Sequence, residues 1–151
     1  MTKSFALALH TTTTRLEIAI AEINPNSDRN SQTYIIHKQQ SWELGRELSL
    51  QLHDCLNMFV GDLAWTDFAF LAIATGLGSF TGTRIGVVVA RTLGEQLDIP
   101  VYGVDCAAIV ARVQQSESSL SLSASLLAIA HDRWQSGIYS SWQDVLPIYE
   151  Q

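Results

Sequence analysis

Phe68-Ala69-Phe70-Leu71-Ala72-Ile73-Ala74-Thr75-Gly76-Leu77-Gly78-Ser79-Phe80-Thr81-Gly82-Thr83-Arg84-Ile85-Gly86 is the stretch that decides the fold. Phe68–Thr75 is almost entirely apolar, and such a run predicts a strand buried on both faces in the centre of a sheet. Gly76–Gly82 is a glycine-rich turn, and a helix is expected from about Thr83 to Leu97. A strand that feeds a helix through such a turn offers free backbone N–H groups to an anion. The turn fails three anion-loop and nucleophile patterns. Thr81 stands where a dinucleotide fingerprint needs its third glycine, and no Gly-Lys-Ser/Thr follows. Ser79 is not in a Gly-x-Ser-x-Gly elbow. On residue pattern alone, a tight structural turn built from Gly76, Gly78, Ser79, Phe80, Thr81 and Gly82 explains the stretch equally well.

The helix after the turn carries a second pattern. Gly82, Gly86, Ala90 and Gly94 lie four apart and form a ridge of small side chains. Glycine in a helix costs roughly 1 kcal/mol against alanine, so the ridge needs a compensating close approach of another backbone. That approach is either to this chain's own sheet or first helix, or to another molecule.

Working outward, Ser4–His10 and Arg15–Ile23 read as two strands joined by the threonine turn Thr11–Thr14, a hairpin. Residues 24–31 are a polar loop, and Thr33–Lys38 is a third strand. Ser41 is the expected N-cap of a helix, with Glu43 and Glu47 in its first turns. Leu44, Leu48, Leu52, Cys55, Leu56 and Phe59 fall at spacings of three and four along it, and Gly61 is its stop. Ile99–Val104 is a strand, and Asp105–Arg112 begins a further helix. Gln114–Ser125 is serine-rich and reads as a linker, followed by a strand at Leu126–His131 and a hairpin partner at Gly137–Trp142.

Composition limits the function classes. The chain has 151 residues, and 16% are charged against a usual value of about 25%. That excludes a charge-solvated disordered chain and suggests a surface covered by something other than water. The net charge is −6 with no basic run, which disfavours direct, tight nucleic-acid binding. Cys55 and Cys106 have no metal-ligand or disulfide spacing. No run approaches the ~20 apolar residues of a membrane span, and no signal peptide is evident. A cytoplasmic location is expected.

Catalytic constellations are missing from the sequence. His10, His37, His53 and His131 have no short-range pairing, and HExxH is absent. No paired carboxylates stand out as a dyad. Asp132-Arg133 reads as a surface ion pair or turn, and Trp42, Trp65, Trp134 and Trp142 read as core or edge packing. No metal and no cofactor is expected.

Three segments together resemble the TsaB (YeaZ) family. Leu7-Ala8-Leu9-His10-Thr11-Thr12-Thr13 resembles that family's opening Leu-Ala-Leu-Asp-Thr-Ser-Thr. Gly76–Gly86 is similar to its Gly-Pro-Gly-Ser-Phe-Thr-Gly-Leu-Arg-Ile-Gly almost residue for residue, and Leu97–Val104 resembles its Leu-Gly-Ile-Pro-Leu-Val-Gly-Val. The resemblance covers roughly residues 4–112.

The resemblance implies an α/β fold: an actin/Hsp70-like (ASKHA, ribonuclease H-like) lobe, a mixed β-sheet with flanking helices, over residues 1–112. Residues 113–151 are then a linker and a shortened second lobe. It implies a non-catalytic partner that pairs with and activates TsaD, the subunit that makes threonylcarbamoyladenosine at position 37 of ANN-decoding tRNAs, with the ATPase TsaE joining them. Homodimerisation alone, and contact with tRNA only through the complex, are also implied. The family pairs through its first two helices, here about Trp42–Val60 and Thr83–Leu97, which nominates Leu44, Leu48, Leu52, Gly86, Ala90 and Gly94 as interface positions. Where ASKHA ATPases carry an acidic residue at the end of the first strand, this chain has His10, which cannot replace a carboxylate on Mg²⁺. An ASKHA-type ATP-binding or hydrolysing enzyme is the alternative. The old glycoprotease label finds no nucleophile–base pair or zinc motif in the sequence.

Overall fold

The computed structural model describes residues 5–23, 34–116 and 120–148. Five strands form one sheet in the order β3-β2-β1-β4-β5. They are β1 (Phe5–His10), β2 (Arg15–Ile23), β3 (Tyr34–Glu43), β4 (Phe68–Ala74) and β5 (Val101–Val104). The β1–β2 and β2–β3 pairs are antiparallel, and β1–β4 and β4–β5 are parallel. The mixed α/β sheet expected from the sequence is therefore present. Every residue of β4 is buried, as its unbroken apolar run predicts.

The two faces of the sheet differ in side-chain size. Leu7, Leu9, Leu16, Ile18, Ile20, Leu71 and Ile73 face helices α1 (Leu48–Val60) and α2 (Phe80–Leu97). Ala6, Ala8, Ala19, Ala21, Ala72 and Ala74 line the opposite face, under α3 (Cys106–Gln115) and α4 (Leu122–Gln135). Alternation along each strand sorts the residues this way. The alanine face lets α4 lie close against the middle of the sheet, where it touches all five strands.

Several local expectations are corrected. Ser41 does not cap a helix. β3 continues to Glu43, with Ser41 opposite Glu17 and Trp42 opposite Leu16. Cross-strand pairing overrides the acidic helix-start signal, and α1 begins only at Leu48 after a 3₁₀ turn at Gly45–Glu47. Gly61 does end α1, at φ 59°, which a residue with a Cβ rarely adopts. α2 starts three residues earlier than expected, with Ser79 as N-cap. The polar loop at 24–31 lies outside the described residues.

The largest correction is in the last forty residues or so. Of the expected linker at Gln114–Ser125, Gln114 and Gln115 end α3, 117–119 lie outside the described residues, and Leu122–Ser125 open helix α4. That helix replaces the expected strand at Leu126–His131 and is capped by Ser121, whose Oγ accepts from the Ala124 N–H. The expected hairpin partner at Gly137–Trp142 is irregular and leads into a 3₁₀ turn at Trp142–Asp144. The position 112/113 lies inside α3, and α4 packs on the same sheet as the preceding elements. Among the described residues, no helix is long and apolar enough to cross a membrane.

Candidate functional site

The glycine turn folds back on the threonine turn. The Ser79 N–H donates to the Thr12 carbonyl at 2.7 Å, and the Cys106 N–H donates to the Gly76 carbonyl at 2.6 Å. Ser79 Oγ accepts from the Gly82 N–H at 3.2 Å, closing the first turn of α2. A Cβ added at Gly78 would lie 2.5 Å from the Thr12 carbonyl oxygen, and one at Gly82 would overlap the Thr11 carbonyl. The glycines thus serve close backbone approach between the β1–β2 turn and the α2 N-terminus.

The small-residue ridge faces inward. Gly86 packs on the Thr11 side chain and Ile73, and Gly94 on Val101 and Trp142. Ala90 is 0% exposed. Leu48 and Leu52 are likewise buried in the core formed with the sheet, and Leu44 is half-buried against it. Of the six nominated interface positions, Leu48, Leu52, Gly86, Ala90 and Gly94 therefore contact this chain's own sheet and core, not solvent. The reason is helical phase. The small stripe and the leucine stripe are the sides of α2 and α1 turned to the sheet.

A different set of residues on the same two helices forms an open surface. His53, Leu56 and Asn57 of α1, Trp65, and Arg84, Ile85, Val88, Val89, Thr92 and Leu93 of α2 line a groove of about 520 Å³ that is largely apolar. Val88 is 55% exposed within it. The sequence signal for this face was present but secondary: Ile85, Val88, Val89 and Leu93 flank the small ridge.

A second, more polar cleft of about 390 Å³ lies where the α2 N-terminus meets the start of α1. Thr13, Thr14, Arg46, Ser49, Ser79 and Thr81 contribute to its walls. His10 lies elsewhere. It is 2% exposed and follows Ala6 and Ala8 on the α4 side of the sheet. Burial pushes its pKa down to about 4, so it is neutral at pH 7. His131 is buried too, 4.5 Å between ring centroids from Tyr34, and burial also lowers its pKa. Among the described residues, neither Nδ1 has a hydrogen-bond partner.

The remaining candidates resolve into packing. Trp42 meets Phe59 edge-on, Trp65 packs on Phe68, Trp134 on Phe70, and Trp142 beneath the Arg91 guanidinium. Asp132 pairs with Arg112 at 3.1 Å, not with its neighbour Arg133, which donates to the Gly103 carbonyl. Cys55 is buried, and Cys106 Sγ lies 3.3 Å from Thr12 Oγ1. Among the described residues, no three His, Cys, Asp or Glu side chains come together as a metal-binding group.

Comparison with known proteins places this architecture. The chain is similar in fold to YeaZ from Pseudomonas aeruginosa, with a TM-score of 0.76 and 16% identity over 97% of this chain and 100% of that one. It also shares its fold with Thermus thermophilus RuvC, with a TM-score of 0.61 and 9% identity over 91% of this chain and 98% of that one. In sequence, it is 45% identical over 53 residues to the tRNA threonylcarbamoyladenosine biosynthesis protein TsaB of Bacillus subtilis (strain 168). That match takes in 35% of this chain and spans about a fifth of the relative, 20% of its length. Residues 46–127, more than half of the 151, match the family model described as TsaD: tRNA N6-adenosine threonylcarbamoyltransferase. The chain belongs to that TsaD-type family; its local sequence match is to a TsaB and its fold resembles YeaZ.

Proposed function

We propose that the chain is an accessory subunit in the biosynthesis of threonylcarbamoyladenosine on tRNA, pairing with a TsaD-type subunit and activating it without performing the chemistry itself. The observation that carries this reading is the apolar groove along α1 and α2. An open apolar surface on an otherwise well-packed chain marks a protein–protein contact, and family membership supplies the pathway. In this reading the same groove pairs two copies when the partner is absent. TsaE and tRNA meet the assembled complex, and the work is done in the cytoplasm. In this reading residues 1–112 supply the pairing surface.

Val88→Arg tests this. It places a charge on the half-exposed wall of the groove, where burial against a partner leaves the charge unpaired. Size-exclusion chromatography with light scattering on a mixture with TsaD should show the complex lost and the monomer still folded. A complex of undiminished stability would refute the reading.

One observation favours the alternative, an ASKHA-type ATP-binding protein: the cleft at the α2 N-terminus, whose wall, though also formed by Leu48 and Ile85, carries Arg46 and four hydroxyl side chains besides Ser79. Calorimetry with ATP and Mg²⁺ on the chain alone separates the two. Tight binding supports the alternative, and no heat supports the accessory role.

A further inference from the structure

Residues 138–148 cross three separate elements as a strap, and a glycine lies beneath each crossing. Trp142 covers Gly94 of α2, where an added Cβ would sit 3.0 Å from Trp142 Cβ. Val145 covers Gly103 of β5, at 3.1 Å to its Cγ1. Ile148 covers Gly76 after β4, at 2.6 Å to its carbonyl oxygen. Four hydrogen bonds tether the strap. The Val101 N–H donates to the Ser140 carbonyl at 3.0 Å, and the Ile148 N–H to the Thr75 carbonyl at 2.7 Å. The Arg91 guanidinium donates to the Val145 carbonyl at 2.9 Å, and the Tyr102 hydroxyl to the Ile138 carbonyl at 2.6 Å. Val145 is 4% exposed and belongs to the core under α1 and α2.

The same two turns of α2 hold both the strap and the groove. Arg91 and Gly94 receive the strap, while Val88, Val89, Thr92 and Leu93 line the groove. We propose that the strap is a clamp that fixes α2 against the edge of the sheet, and that its docking is linked to partner binding in the groove. The linkage half rests on the pairing reading above; the clamp half stands on the strap's own contacts. A helix already held in place loses less conformational freedom when a partner binds, so the two events favour each other. Release of the strap opens α2 and β5 as a local unit while β1 and β2 stay closed.

The test uses the full chain with Trp142→Ala, and with Arg91→Gln as the milder variant that keeps the strap's apolar contacts. Native-state hydrogen exchange should speed up about tenfold at the α2 and β5 amides and stay unchanged in β1 and β2. No acceleration in α2, or equal acceleration across the whole sheet, overturns the clamp. With TsaD as the probe, affinity should fall about tenfold in Trp142→Ala. Unchanged affinity with a loosened α2 overturns the linkage. A TsaD complex that also survives Val88→Arg overturns the pairing reading, and the linkage with it, while the exchange data still decide the clamp.

Discussion

Thr11 Oγ1 donates a 2.8 Å hydrogen bond to the carbonyl of Gly82, and both residues are buried. This bond ties the end of β1 to the first turn of α2 across 71 residues of sequence. Thr11→Val keeps the shape and removes the donor. It should cost about 1 kcal/mol, the net worth of one such bond. The urea midpoint should fall with an unchanged m-value. A midpoint equal to that of the parent would show that the bond contributes nothing.

Gly86→Ala adds a methyl where the Thr11 side chain already lies. Alanine's higher helix propensity favours the change by roughly 1 kcal/mol, but overpacking of this kind costs about 1–3 kcal/mol. Net destabilisation in thermal unfolding is expected, because Thr11 is itself pinned by its bond to Gly82. A more stable variant would mean that the ridge tolerates a larger residue.

Ala90→Arg and Val88→Arg should part company, although the residues are two apart on one helix. Ala90 is 0% exposed, so its replacement buries an unpaired guanidinium and should unfold the chain, with loss of the far-UV circular dichroism signal. Val88 is 55% exposed, and its replacement should change stability by no more than about 0.5 kcal/mol. Equal stability of the two proteins would contradict the orientation of α2.

Acid should weaken the fold through His10. Unfolded, the imidazole takes up a proton near its ordinary value of 6.5; folded, it does so only at about 4, because burial disfavours the charged form. Between those pH values the unfolded chain binds more protons, so stability falls as pH drops. The loss is complete below about pH 4 and amounts to roughly 3 kcal/mol. His131 is lowered by the same cause and adds in the same direction. Urea titrations at several pH values should show this slope, and His10→Leu should flatten part of it. Parent stability that holds or rises on acidification would be incompatible with a neutral buried His10.

Ser79→Ala should cost about 1 kcal/mol through loss of the N-cap acceptor for the Gly82 N–H, and Ser79→Asp should recover most of it. Chemical denaturation of the two variants side by side measures the difference.

The sequence alone determined the β1–β2 hairpin, the fully buried β4, the glycine turn into α2 and the resemblance to the TsaB/YeaZ group. Each of these depends on local chemistry: strand alternation, an unbroken apolar run, and glycines that permit close backbone approach. Only the tertiary structure decided the rest. β3 extends through Ser41 because its pairing with β2 outweighs a helix-start signal. α4 escaped a periodicity reading because it is buried on nearly every side, from Ser123 to Ala128 without a break, and a helix surrounded by protein shows no 3.6-residue polar stripe. The small ridge of α2 could have faced a partner or the sheet, since either supplies a close neighbour. Helical phase against Thr11, Ile73 and Val101 turned it to the sheet and left Val88 and its neighbours to form the open groove.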